Sequence, residues 1–219
     1  MSGSDHHGPT SFWSKYIFSL DHKIIGLQYM FTGMLMGILG GYMAYVFRMQ
    51  LAFPGSEVPG FGVVTPLNYN ALITNHGTIM IFWVAMPVLI AAMGNFLIPL
   101  MIGCDDMVFP KLNRLSYQIF LLSTIVLIIS FCVPNGGFGG AWTSYPPLSS
   151  NPEYNLTPLG APLWLTAVAL EIVAFLIGGI NFLTTVMNAR APGMKLYDIP
   201  MVVWMIVVAT LLFMASVGH

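Results

Sequence analysis

Five apolar stretches, each close to or longer than the roughly 20 residues that cross a hydrocarbon layer, constrain this chain more than anything else in it. Backbone polar groups in lipid must be satisfied within the segment, so such stretches read as helices. The pattern predicts helices near 24–48, 70–101, 114–134, 160–189 and 199–218. The connections are polar or rich in Gly and Pro, as in FPGSEVPGFG and VPNGGFGGAWTSYPPLSSNPEYN. Composition agrees: 57% of residues are apolar and 7% charged, too few charges to keep a globule of 219 residues in solution. No internal repeat and no separate soluble domain is visible. Residues 1–219 therefore read as one all-α membrane domain, with 1–20 as a polar tail.

The few charges carry orientation. Lys15 and Lys23 precede the first segment, Lys111 and Arg114 follow the second, and Arg190 and Lys195 follow the fourth. All six fall on one side, leaving Arg48 on the other. By the positive-inside rule the N-terminus faces the cytoplasm. A net charge of −1 offers no basic patch for nucleic acid. The opening residues lack the basic-then-apolar order of a cleavable signal peptide, and the His6-His7 pair reads as part of a solvated tail. Cys104 and Cys132 fall at opposite membrane faces, which argues against a disulfide. The last segment runs from Pro200 to His219 with no polar anchor beyond it, so a continuing polypeptide or a second chain is expected.

Polar groups inside apolar helices are costly and mark candidate sites. His76, in NHGTIMIFWVAMP, is followed by Gly77, which lets a planar group approach the backbone. Its imidazole could ligate haem iron or bond a neighbouring helix. Arg48, at the outer end of the first segment, could bind a propionate or formyl of a macrocycle, or anchor the helix at the interface. In the fourth segment Glu171, Gly178, Asn181, Thr185 and Asn188 recur at helical spacing on one face, which either glues helices or lines a wet path. Asn95, Asp106 and Asn113 flank the inner ends of the second and third segments, where an acid among amides suits either a proton entrance or a solvated loop.

Several strings in order, SLDHKIIGLQY, FRMQL with its following PG turn, NALITNHGTIM, GNFLIPLMIG, DDMVFPKLNRLSY, WTSYPPLSS and NFLTTVMNARAPGM, resemble subunit I of the haem–copper oxidases, the cytochrome c oxidase family. The resemblance covers nearly the whole chain. It implies that His76 is an axial ligand of the low-spin haem. Arg48 would contact that haem's periphery, at the formyl group where the haem is a-type. Trp142 and Tyr145 would lie beside the haem and the edge of the active site. Asp106 would be the acid at the mouth of the proton pathway, with Asn95 and Asn113 grouped around it. Asn181 and Asn188 would stand further along.

The departures are informative. Where the family's pathway continues through serines on the fourth helix, this chain has Glu171, Ala174 and Phe175. Lost hydroxyls would weaken a water chain, Phe175 would block it, and Glu171 would serve as a relay carboxyl, its rival role being a structural acid. Asp105 adds a second acid beside Asp106, and like charges so close should raise the proton affinity of one of them. Gln50 stands where many relatives carry a cation-binding glutamate. Ala52, Asn68 and Ala71 occupy positions that are polar in the quinol-oxidising branch, which favours cytochrome c as electron source.

The expected fold is thus the first five helices of the family's twelve-helix bundle. The expected function is part of the catalytic subunit of a terminal oxidase, holding an a-type low-spin haem and the cytoplasmic proton entrance. The haem–copper centre is expected only with later helices. Expected partners are the rest of subunit I or a second chain carrying it, oxidase subunits II and III, and cytochrome c. The alternatives are a split or degenerate subunit that carries haem or only scaffolds, a transporter with an unrelated histidine, and a nitric oxide reductase, which would generally lack the Asp106 motif.

Overall fold

A computed structural model describes residues 12–133, 137–154 and 159–217. The His6-His7 pair and His219 lie outside them. Local chemistry fixes most helix ends. α1 (His22–Ala52) starts at Asp21, whose Oδ1 accepts from the Lys23 N–H at 2.7 Å. α2 (Pro66–Thr78) starts at Thr65, with Pro66 in the first turn where its missing N–H costs nothing. α2 runs on through π-helical turns at Ile79–Ala85 and Pro87–Ala92 into α3 (Met93–Ile102), giving one continuous rod of 37 residues. Pro87 cannot donate to the helical ladder, a physical reason for widened turns on either side of it. Gly103, at φ 74°, stops α3 in the left-handed conformation that a β-carbon disfavours. α4 (Pro110–Cys132), α5 (Gly160–Asn188) and α6 (Met201–Ser216) complete the helices.

The fold is all-α: four apolar helical spans long enough to cross a membrane, His22–Ala52, Pro66–Ile102, Pro110–Cys132 and Gly160–Asn188, and one shorter. The shorter one, α6, has 16 described residues, about 24 Å at 1.5 Å per residue, where the sequence suggested a span of full length. A small antiparallel ribbon, β1 (Glu57–Val58) with β2 (Gly62–Val63), folds the α1–α2 connection back on itself. Apolar periodicity carries no signal for so short a pairing.

α1 lies along the rod, close enough at Gly33 that a β-carbon there would come within 2.7 Å of Val88 Cγ2. Small residues at such crossings let membrane helices approach. α4 and α5 form the most extensive helix pair, and α6 covers α5 and α3. The basic residues gather at one end: Arg114 donates to the Phe18 carbonyl at 3.5 Å, and the Ala191 N–H to the Ile102 carbonyl at 2.9 Å. Arg48 stands at the far end of α1. Cys104 and Cys132 are free thiols at opposite ends of the bundle. Outward faces carry large apolar side chains such as Phe31, Ile38, Met201 and Leu212, as surfaces facing lipid or further helices must.

Candidate functional site

Two groups of polar side chains stand out, one toward each end of the bundle. The first centres on His76, half-buried on α2. Its Nδ1 donates to the Gly40 carbonyl of α1 at 2.9 Å, and the Phe47 ring meets it edge-on at 5.5 Å. Because a carbonyl can only accept, the proton sits on Nδ1 and Nε2 keeps its lone pair. Metal-bound imidazoles are held in this way, by an outer partner that fixes tautomer and ring orientation. Nε2 makes no hydrogen bond among the described residues. Trp142 lies over Gly77, its Cδ1 3.3 Å from where a β-carbon would be, and contacts Phe82 at 6.3 Å between centroids. The donor and its surroundings fit an axial haem ligand. Arg48 is exposed and makes no hydrogen bond or ion pair among the described residues. Tyr145, 74% exposed, lies on the open surface of its loop.

The second group is at the basic end. The loop between α3 and α4 is pinned to α5, where Asn181 Oδ1 accepts from the Phe109 N–H at 3.0 Å and Thr185 Oγ1 from the Val108 N–H at 3.1 Å. This holds Asp106 half-buried, its Oδ1 accepting from the Met107 N–H at 2.6 Å. Burial pushes the Asp106 carboxyl above the usual carboxylate range, opposed chiefly by the Met107 N–H and by His22. The like charge that acts on it is Asp21; the expected partner, Asp105, is exposed and is not among the groups that act on Asp106.

Behind Asp106 the amides are sealed. Asn113 is fully buried with both side-chain polar atoms unpartnered. Asn95 is buried with Nδ2 donating to the Ala91 carbonyl at 2.8 Å and Oδ1 unpartnered. Asn188, by contrast, is exposed at the end of α5, so the polar stripe contributes Glu171, Gly178, Asn181 and Thr185 to the interior and leaves Asn188 outside.

His22 was not singled out in the sequence, yet it is the hinge of this group. It is buried, and its Nδ1 donates to the Asn95 carbonyl at 2.7 Å while its ring and backbone act on Asp106. The Asp-His pair at the start of the first apolar run was the available signal. Asn95 also lines a cavity of about 150 Å³ that reaches Tyr29, Ser116, Gly178, Phe175 and Thr210. Within it Tyr29 Oη and Ser116 Oγ lie 2.6 Å apart, and Ser116 donates to the Ala174 carbonyl at 2.7 Å. Phe175 forms a wall of this space, its ring packed against Phe213 of α6 at 5.6 Å. At the outer end Gln50 keeps a buried, unpartnered Oε1, and Asn68 and Ala71 line a smaller cavity of about 120 Å³ with Asn75 and Phe131.

Residues 24–218 match the family described as cytochrome C and quinol oxidase polypeptide I. An alternative cytochrome c oxidase subunit 1 of Bradyrhizobium diazoefficiens is 40% identical over 93% of this chain and 34% of its own. The cytochrome c oxidase subunit 1 of Thermostichus vulcanus is 36% identical over 99% of this chain and 37% of its own. That of Synechocystis is 40% identical over 95% and 36%. The chain thus spans a little over a third of the length of these curated relatives. With its run of apolar helices, its half-buried His76 and its sealed amide cluster, the chain belongs to the subunit I family of the haem–copper oxidases.

Proposed function

We propose that this chain forms the low-spin haem side and the proton entrance of the catalytic subunit of a terminal respiratory oxidase. The observation that carries the reading is the His76 imidazole, fixed through Nδ1 by the Gly40 carbonyl with Nε2 left as the coordinating atom. Haem bound there would supply one-electron redox chemistry, and an a-type haem is the one its surroundings are proposed to hold. Trp142, Tyr145 and Arg48 would lie at its periphery, Arg48 with a free guanidinium suited to an acceptor on the macrocycle.

At the opposite end Asp106 would collect protons from the cytoplasm. The carboxyl is part-exposed, so it exchanges with solvent, and the unpartnered atoms of Asn95 and Asn113 behind it would hold water leading inward. Asn181 orients the loop. Asn188 would act only at the outer surface of that mouth. The basic residues at this end support the same orientation, with the N-terminus on the cytoplasmic face of what would be a bacterial inner membrane. Oxygen reduction at a haem–copper centre would require the remainder of subunit I or a second chain. Subunits II and III and cytochrome c complete the proposed assembly.

The test is a reduced-minus-oxidised optical spectrum of the detergent-purified assembly, wild type beside His76→Ala. A low-spin haem band present in the first and lost in the second is expected. No haem in the wild type would overturn the reading and leave scaffolding or transport as the account.

A further inference from the structure

Glu171 is the one titratable side chain in α5, and it is fully enclosed. Both carboxyl oxygens lack a hydrogen-bond donor among the described residues. A structural acid works by accepting hydrogen bonds or pairing with a cation, and here there is neither for it to organise. An apolar residue of the same volume would pack this position without that desolvation, so the carboxyl is retained for something packing does not explain.

Its surroundings show what that is. Glu171 lies one turn beyond Ala174, whose carbonyl receives Ser116 Oγ, which in turn contacts Tyr29 Oη. Tyr29 and Ser116 line the cavity of about 150 Å³ whose other end is Asn95. That space is large enough to admit water. Two unpartnered polar atoms, Asn95 Oδ1 and Thr210 Oγ1, belong to residues that line it. Phe175 and Phe213, in ring contact, together wall the space.

Resting on the reading of Asp106 as the proton entrance, we infer that Glu171 is the proton-carrying carboxyl at the inner end of this route, reached from the cavity through the Tyr29–Ser116 hydroxyl pair. The carboxyl releases one proton toward the opposite membrane face. The resulting carboxylate takes one proton from a cavity water through the hydroxyl pair, a proton from Asp106 passes Asn95 to restore that water, and Asp106 takes its replacement from the cytoplasmic solution. Each cycle moves one proton and leaves every group as it began.

The test compares the complete oxidase with its Glu171→Gln, Glu171→Asp and Asp106→Asn variants by steady-state oxygen consumption and redox-induced infrared difference spectroscopy. Glu171→Gln and Asp106→Asn are each expected to slow turnover roughly tenfold or more with haem spectra unchanged. The wild type and Asp106→Asn should show a carboxyl C=O band, sensitive to deuterium, that Glu171→Gln lacks. Glu171→Asp should recover part of the turnover, because it restores an exchangeable proton. Wild-type turnover in Glu171→Gln beside a slow Asp106→Asn overturns the inference and spares the entrance. Equal loss in Glu171→Asp and Glu171→Gln, with no carboxyl band in the wild type, assigns packing and also overturns it. Wild-type turnover in Asp106→Asn overturns the entrance on which it rests.

Discussion

Gly40→Ala tests whether the grip on His76 depends on how closely α1 approaches the rod. A β-carbon at Gly40 would fall 3.0 Å from Met80 Sδ and 3.1 Å from Ile79 Cγ2. Comfortable contacts between such atoms are about 3.5–4.0 Å. Met80 can swing its sulfur away, but Ile79 is β-branched and fully buried, so it cannot. The helices must then part locally by about 0.5 Å, which takes the Gly40 carbonyl with them. A His76 hydrogen bond that starts at 2.9 Å would stretch to roughly 3.4 Å, near the limit at which it still orients the ring. Loss of such an outer partner typically weakens metal binding about 10–100-fold. Overpacking adds a stability cost of about 1–3 kcal/mol, partly offset by up to about 1 kcal/mol of helix propensity. Gly37→Ala is the internal control. It sits one turn earlier on the same helix, and its β-carbon would meet only Val84 at 3.7 Å, an ordinary contact. Haem retained per polypeptide after repeated detergent washing, read from the reduced spectrum, should fall in Gly40→Ala and hold in Gly37→Ala. Equal retention in the two variants would refute the argument.

Two further outcomes follow from other parts of the fold. Gly94→Ala would place a β-carbon 2.8 Å from two ring atoms of the buried Phe182, at the junction of α3, α5 and α6, and should destabilise by about 1–3 kcal/mol; an unchanged or raised melting temperature in detergent would contradict it. For Asp106 the native carboxyl holds its proton more tightly than in the unfolded chain, so the native state is favoured at low pH. That contribution fades as pH rises from about 4 through the raised native value. Asp106→Asn should therefore flatten this part of the stability–pH curve and leave neutral-pH stability equal or higher, while turnover drops.

How much of this was readable beforehand depends on what kind of atom does the work. His76, Asn95 and Asn113 drew notice because a polar side chain in or beside an apolar run has few innocent explanations, and the structure buries both amides and half-buries the imidazole; Asp106, in a loop, was noticed only as an acid among amides. The partner of His76 was not, since it is the backbone carbonyl of Gly40, 36 residues away, and a glycine in a membrane helix announces only close packing. His22 was hidden by position. Next to Asp21 and Lys23 it reads as part of a solvated helix start, and only the rod packing against α1 buries it. The helical stripe on α5 correctly placed Glu171, Asn181 and Thr185 on one face, but periodicity says nothing about where the bundle ends, and Asn188 falls past that point. Asp105 shows the limit of adjacency: it is the neighbour in sequence, yet Asp21, far along the chain, is the acid that acts on Asp106.

The two groups also differ in how much of each this chain builds. Toward the basic end Asn95, Asn113, Asn181 and Glu171 are all 1% exposed or less, enclosed by α1, the rod, α4 and α5. Around His76, the proposed haem side, the imidazole is only half-buried, Trp142 is 44% exposed, and Gly41, next to the Gly40 carbonyl, has no atom within 4 Å of its β-position. A redox group there would need a second wall to exclude water and set its potential. The relatives are nearly three times longer, so such a wall has a source in the family. The argument then predicts an asymmetry. Expressed by itself, this chain should protect the amides around Asn95 and Asn113 from hydrogen exchange as well as the full assembly does, whereas segments around His76 and Trp142 should gain protection only on assembly. Equal protection at both ends of the isolated chain would show that the haem side is already closed and that no second wall is required.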